Sequence, residues 1–496
     1  MVSSMEMTRA GGILLHPTSL PGTPLIGTLG PPARRWLEWL DASGCRLWQI
    51  LPLVPVGSGN SPYDGFSAFA GNTLLISLEL LVAQGLLKET DLPASDPTAA
   101  DYELASTAKA PLLTRAAGNF LARGDQEQRR AYENFCRRAQ FWLDDFALYM
   151  TLHRIYKGAS WTQWPEPLKW RDAETLKDFR QTHHREIEIE KVLQFFFFDQ
   201  WREIKMHAAE RGIGIIGDMP IFVSHSSADV WAWPQGYKLR ADGEPKVVAG
   251  VPPDYFSATG QRWGNPVYHW LTHADNWFEW WVERVRWSLQ LVDYLRLDHF
   301  RGFVQAWEIP AEAATAQGGR WVTGPGFEIF QALEDSLGEL PLIAEDLGVI
   351  TEDVIELREE LRLPGMKVLQ FGLESGPDHE FLPHKYPKDC VAYTGTHDNN
   401  TSRGWYESQP SSVKRFVKDY LPSNGPIAWR MIEAIWASEA KWAIAPLQDF
   451  LDLGTKARMN IPGTSQGNWQ WRASERHLND ELALKVSSTL NRPHHR

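Results

Sequence analysis

The sequence predicts an α/β fold, a (β/α)8 barrel carrying large inserted subdomains. Three observations lead there. Eight short apolar runs end in, or run directly into, Gly, Pro or an acidic residue, as buried parallel strands do where they open into loops. Helix-like segments lie between many of these runs. The chain has 496 residues, which by length alone is about three domain-sized units. A single barrel with insertions also fills that length, since such barrels can exceed about 400 residues.

The runs, in order, are Gly12–His16, Arg46–Pro52, Gly214–Asp218, Asp293–Asp298, Pro341–Glu345, Lys367–Phe371, Cys390–Thr394 and Ala457–Ile461. They are assigned to the eight parallel strands. Pro32–Ala42, with Trp36, Leu37 and Leu40 on one side, reads as a helix after the first strand. Thr351–Leu361 reads as another, stopped before Leu363-Pro364-Gly365. The gap between the second and third runs is too long for one crossover. Residues 75–190 are therefore expected to form a mainly helical insertion, with helices at Leu78–Leu87, Gln126–Tyr156 and Asp172–Thr182. Residues 222–285 hold few apolar runs and many Gly, Pro and aromatic residues. They are expected to form a loop-rich insertion over the barrel mouth, the whole of 1–496 being one catalytic barrel. The Phe195–Phe198 run reads as a buried helix face.

Composition narrows the class. The net charge of −12 argues against electrostatic binding to nucleic acid or an anionic membrane. No stretch approaches the roughly 20 apolar residues of a membrane span, and Gly11–Leu15 is too short for a signal-peptide core. Cys45, Cys136 and Cys390 are odd in number and far apart, so reduced thiols in a cytoplasmic protein are expected. No EF-hand-like loop or His/Cys cluster is visible, so neither a metal nor another cofactor is expected. Tryptophan is abundant, 24 against 13 Tyr. Most of these rings belong in the core, but those in Gly/Pro/Asn-rich loops can also pack on the C–H faces of sugars. The sequence leaves the oligomeric state open.

The chemistry is suggested by what ends the runs. Barrel active sites sit at the C-terminal ends of the strands, and Asp218, Asp298, Glu345 and Asp398 all lie there. Helix capping explains one acidic residue after a strand, but it is a poor account of four on one rim. Glycosidic chemistry needs two carboxyl groups in opposite protonation states. Arg296 lies two residues before Asp298, so both point the same way from a strand. A cation there favours the carboxylate that a nucleophile needs, although a structural salt bridge would read the same. Glu345 follows an apolar tetrapeptide, and apolar surroundings raise a carboxyl pKa, as suits a general acid. His397-Asp398 lies at a turn where both side chains can grip sugar hydroxyls.

Leu295-Arg296-Leu297-Asp298-His299-Phe300-Arg301-Gly302-Phe303, Ile343-Ala344-Glu345-Asp346-Leu347-Gly348 and Thr394-Gly395-Thr396-His397-Asp398-Asn399-Asn400-Thr401 resemble the signature blocks of the amylomaltases. These are the 4-α-glucanotransferases, or disproportionating enzymes, of glycoside hydrolase family 77 in the α-amylase superfamily. Ser61-Pro62-Tyr63, Ser67–Asn72, Gly217–Ile221 and Gly250–Pro266 agree with that family as well, so the resemblance spans nearly the whole chain. It implies a retaining reaction in which Asp298 is the nucleophile, Glu345 the general acid and then base, and Asp398 the group that steadies the distorted sugar. Tyr63, Asp218, Arg296 and His397 would bind the sugar at the cleavage point. Tyr255, Phe256, Trp263, Asn265 and Phe371 would be further substrate contacts, with the aromatic residues on the acceptor side. The family's barrel lacks a C-terminal β domain, with which the short tail after Ile461 agrees. The implied reaction moves an α-1,4-glucan segment to the 4-hydroxyl of glucose or a maltooligosaccharide, and within one chain it would give cyclic glucans. A hydrolase of the same superfamily and an inactive starch-binding protein are the competing readings.

Overall fold

Seven of the eight apolar runs lie on strands of a single parallel sheet in the computed structural model, which describes residues 8–57, 59–93, 99–253, 257–270, 274–421 and 424–490. In chain order the described strands are β1 (Ala10–Leu14), β2 (Leu47–Gln49), β3 (Gly214–Pro220), β4 (Val247–Val251), β5 (Gln261–Pro266), β6 (Tyr294–Asp298), β7 (Gln305–Pro310), β8 (Arg320–Thr323), β9 (Leu342–Ala344), β10 (Gly365–Val368), β11 (Cys390–Tyr393) and β12 (Trp442–Pro446). The parallel sheet runs β10-β11-β12-β1-β2-β3-β6-β9. It curls until Ala344 N donates to Pro364 O at 3.0 Å, just ahead of β10. The result is an eight-stranded, nearly closed barrel.

Alternation along the strands sorts the core into two sets. Leu14, Leu47, Ile216, Ile343, Met366, Val368, Val391, Tyr393 and Ile444 pack together in one cluster, the barrel lumen. Their neighbours Ile13, Trp48, Ile215, Leu295, Leu342, Ala392 and Ala443 belong to the larger cluster shared with the surrounding helices. Trp48 stands 6.0 Å from Trp201 on the helix His184–Glu210. Phe195, Phe196 and Phe197 of that helix are buried, as expected for a run facing the core. The helices Leu78–Ala83, Tyr102–Arg123, Gln126–Arg138, Gln140–Ile155 and Ala173–Thr182 occupy the stretch between β2 and the long helix that returns to the barrel.

Two expectations are corrected. The eighth barrel strand is β12, Trp442–Pro446, and not Ala457–Ile461. Both β1 and β11 hydrogen-bond β12, and all five of its residues are buried. Its Ala and Pro content disguises it, because these residues are weak strand formers. Residues 457–461 instead cross the rim, where Asn460 N bonds His397 O and Met459 O accepts from Trp469 N. Between residues 222 and 285, β4 and β5 form half of an antiparallel sheet ordered β5-β4-β7-β8. The hairpin β7–β8, which follows β6 and was not read as strand, supplies the other half.

These assignments predict different costs for two isoleucines. Ile444 is fully buried in the lumen and Ile461 is 45% exposed. Ile444→Ala is expected to cost about 2–5 kcal/mol, and Ile461→Ala less than about 0.5 kcal/mol. Denaturant midpoints on the two variants measure the difference, and equal costs contradict the placement of the eighth strand.

Candidate active site

The register of β3 against β6 places Asp218 opposite Arg296. Asp298 lies two residues further along β6 and faces the same side. Arg296 joins the two carboxylates. Its Nη1 reaches both oxygens of Asp218, at 2.8 and 2.6 Å, and its Nη2 lies 3.0 Å from Asp298 Oδ1. Its Nε contacts Met366 Sδ at 3.3 Å. Burial alone lowers the guanidinium pKa, but the carboxylates of Asp218 and Asp298 outweigh it and push the value well up. Arg296 is therefore a fixed cation. The Asp218 side chain is fully covered and that of Asp298 keeps 30% of its exposure, so only Asp298 is open to a ligand.

Glu345 follows β9, which pairs with β6 through Leu297 and Ala344. Glu345 and Asp298 therefore stand side by side at the ends of neighbouring strands. Two backbone groups fix the Glu345 carboxyl: His299 N donates to Oε2 at 2.7 Å and Leu347 N to Oε1 at 3.1 Å. Burial raises the Glu345 pKa well above the carboxylate range, against the pull of Arg296 and with a further push from Asp298. Burial also pushes Asp298 up to about 7, again against Arg296 and with help from Asp218 and Asp398. The guanidinium touches Asp298 directly and not Glu345. When the two carboxyls share one proton, it resides on Glu345.

At the same mouth, Tyr63 donates its hydroxyl to Asp218 Oδ2 at 2.7 Å. Its ring stacks on His397, with centroids 5.1 Å apart and planes at 15°. Burial keeps the His397 imidazole neutral by lowering its pKa, with Asp398 opposing; its Nε2 lies 3.4 Å from Asp398 Oδ1. The turn carrying His397 and Asp398 is pinned from below by the buried Asp449 just after β12, which accepts from Thr394 Oγ1 at 2.7 Å and from Ser402 N and Oγ at 2.7 and 2.6 Å. Gln370 adds a bond to Asn400 O at 2.9 Å. The side chain of Asp398 itself remains 47% exposed.

Three residues of this rim were not identified in the sequence. Asn460 Nδ2 donates to Asp398 Oδ1 and Arg458 Nη2 to Asp398 O, each at 2.6 Å. Trp469 packs against both Tyr63 and His397, at 5.9 and 6.0 Å. Trp469 follows Gly467-Asn468, so the loop-tryptophan signal could have found it; Arg458 and Asn460 were hidden by their assignment to a strand. Trp263 on β5 is 39% exposed and meets the His299 ring edge-on at 4.8 Å, which brings it beside Asp298. Phe371 lies on the helix Leu369–Ser375 directly after β10 and packs on the lumen cluster. Asn265 Nδ2 donates to Val223 O at 3.0 Å, tying β5 to the segment after β3. Tyr255 and Phe256 lie outside the described residues. Among the described residues no group of His, Cys, Asp and Glu has the arrangement of a metal site.

A family model described as 4-alpha-glucanotransferase, glycoside hydrolase family 77, matches residues 15–478. The chain is 46% identical over 491 residues to a 4-alpha-glucanotransferase of Thermus thermophilus, covering 97% of this chain and 98% of that protein. It is 47% identical over 473 residues to the chloroplastic/amyloplastic enzyme of Solanum tuberosum, covering 94% of this chain and 82% of that one. Among solved structures, it matches the amylomaltase of Streptococcus agalactiae in complex with acarbose, with a TM-score of 0.94 at 38% identity over 97% of this chain and 99% of that one. The amylomaltase of Corynebacterium glutamicum shares the fold, with a TM-score of 0.76 at 17% identity over 97% of this chain and 75% of that one.

The electrostatics of the Arg296 cluster predict a pH shift. An opposite charge at this range lowers a carboxyl pKa by about 1–3 units. In Arg296→Met that pull on Asp298 is gone, so more of Asp298 is protonated at any pH near 7. The acidic limb of kcat/KM for an α-1,4-glucan donor is expected to move up by about one unit or more, with a larger loss at pH 6 than at pH 8. A profile lowered uniformly, with an unmoved limb, contradicts the assignment.

Proposed function

The chain belongs to the 4-α-glucanotransferase family, glycoside hydrolase family 77, and has 4-α-glucanotransferase activity; from that premise we propose that Asp298, Glu345 and Asp398 carry its reaction. The observation that supports this reading most is the placement of Asp298 against Arg296 with Glu345 on the next strand. Asp298, held toward its ionised form by Arg296, attacks the anomeric carbon of the donor glucan. Glu345 gives its proton to the departing glycosidic oxygen. A covalent glucosyl ester remains on Asp298 while the leaving chain diffuses away. Glu345, now ionised, takes the proton of an incoming sugar 4-hydroxyl, which attacks the same carbon and releases Asp298. Two inversions give net retention.

The other residues have binding roles in this reading. Asp398, half-exposed and tethered by Asn460, accepts hydroxyls of the distorted sugar and stabilises the oxocarbenium-like transition state. Tyr63 and His397 hold the same ring. Burial and the Asp218 carboxylate raise the Tyr63 pKa well above its usual value, so the phenol keeps its proton. Trp263 and Phe371 supply acceptor-side faces, with Tyr255 and Phe256 as further candidates. Substrates are α-1,4-glucans and maltooligosaccharides; an acceptor 4-hydroxyl on the donor's own chain closes a cyclic glucan. No cofactor enters this scheme. Among the described residues no helix is long and apolar enough to cross a membrane. The three cysteines are unpaired, which supports a reducing, cytoplasmic setting.

Incubation with maltotriose tests the reading. The protein is expected to produce glucose together with a ladder of longer oligosaccharides; shorter sugars alone indicate a hydrolase. Glu345→Gln is expected to keep the fold and lose about 10²–10⁴ in turnover. Chromatography of the products and circular dichroism of the variant check both outcomes, and near-normal turnover by Glu345→Gln contradicts the role of Glu345.

A further inference from the structure

Three successive residues after Asp298 reach one and the same loop. His299 N donates to Glu345 Oε2 and Phe300 N to Glu345 O, at 2.7 and 3.1 Å. Arg301, next in the chain, donates through Nη1 to Val349 O. The loop of residues 345–349 is thus held at both ends. Between them the loop reverses at Gly348, with φ +87°, and Leu347 N bonds the second oxygen of Glu345. The first of these contacts is aimed by a left-handed backbone at His299, with φ +56°, a conformation that costs a non-glycine residue roughly 1–2 kcal/mol.

Arg301 is an expensive way to hold a carbonyl. It is 3% exposed, its Nε is buried without a partner, and among the described residues it forms no ion pair with a carboxylate. A buried cation in that state is a poor source of stability. Its guanidinium lies over the Trp321 ring on β8, 3.8 Å from the centroid, which partly offsets the lost hydration. β8 belongs to the sheet that carries Trp263, and Trp263 stands against His299. Arg301 therefore ties the nucleophile's turn, the acid's loop and the antiparallel sheet together at one point.

We propose that Arg301 is a positioning residue for the general acid, fastening the loop that carries Glu345 to the turn that follows Asp298. The proposal rests on Glu345 being that acid. Without the tether at Val349 the loop is free to relax, Leu347 N no longer aims one oxygen of Glu345, and the proton is offered to the leaving oxygen in poorer geometry. Steps in which Glu345 gives or takes a proton suffer, and the departure of a leaving group that needs no acid does not. A packing role in the β7–β8 hairpin would instead weaken all steps alike.

The experiment compares two donors. Maltotriose has a poor leaving group and needs protonation; α-maltosyl fluoride has a good one and needs little. Arg301→Met is expected to lose about 10²-fold in kcat/KM on maltotriose and less than about fivefold in kcat/KM for release of fluoride, a step that needs little help from an acid. Arg301→Lys, whose Nζ replaces the donor to Val349 O, is expected to recover to within about tenfold of the parent on maltotriose, one charge-assisted hydrogen bond being restored. Equal losses on both donors, or no recovery in Arg301→Lys, overturn the proposal. If Arg301→Met fails to show a cooperative thermal transition, Trp321→Leu takes its place: a selective loss on maltotriose supports the proposal and an equal loss on both donors overturns it. Glu345→Gln run in parallel separates the two levels. An equal loss in that variant removes the premise, whereas a selective loss there beside an unselective Arg301→Met removes this proposal alone.

Discussion

The Arg296 guanidinium, wedged between Asp218 and Asp298 inside the mouth of the barrel, is the interaction on which the rest of the site depends. A buried cation is costly unless hydrogen-bonded counter-charges offset its lost hydration, and for Arg296 they arrive only if β3 and β6 pair in the observed register. A slip of β6 by one residue would turn Arg296 toward the helices and away from Asp218. The pair to Asp218 is fully covered and supplies the anchor, while the contact with Asp298 remains open at one side. Tyr63 completes the anchor through its bond to Asp218, and so the loop after β2 is positioned by the same cation. From Tyr63 the chain of contacts passes by ring stacking to His397, and from His397 to Asp398. One charge thus organises groups from β3, β6, the loop after β2 and the turn after β11.

The parts of the fold that were legible are those where one physical signal dominates. Gly214–Asp218 and Asp293–Asp298 are short, apolar and end in acids, and both became strands with bounds within two residues of those read. The misreadings have a common origin in tertiary context. Trp442–Pro446 contains two alanines and a proline, so its local preference is weak, yet burial between β1 and β11 makes it a strand. Met459 and its neighbours look more strand-like but find their backbone partners at His397 and Trp469. The hairpin of β7 and β8 was missed because its residues alternate only weakly: in Arg320–Thr323 no residue is fully buried.

The placement of the strand-end acids was more legible than the fold around them, for a related reason. Acids at strand ends and an arginine two residues before one of them are local patterns, and the i, i+2 rule of a strand converts them directly into geometry. What sequence could not convey are the contacts made across the fold: Asn460 on Asp398, Asp449 beneath the turn, and Arg301 on Val349. Each joins segments far apart in the chain. The left-handed backbone at His299 belongs here too, since a histidine is a poor local predictor of positive φ. It is imposed by the need to send an N–H back to Glu345 while the chain turns away from β6.

In the proposed reaction, the two sides of the cleavage point differ in a way that bears on transfer rather than hydrolysis. The side of Tyr63, His397 and Trp469 is a stacked aromatic wall, anchored by the bond of the Tyr63 hydroxyl to Asp218. It can hold a sugar in one orientation but has little freedom to adapt. Trp263 stands apart from that wall with its face partly bare, supported edge-on by His299. Water needs no such face, whereas a sugar acceptor gains binding from it and has its hydroxyl oriented. Effective molarities for well-oriented groups reach about 10⁵ M or more, enough to offset the excess of water when an acceptor is bound. Because His299 contacts Trp263 with its ring and Glu345 with its backbone, the proposed acceptor surface is joined through one residue to the proposed general base.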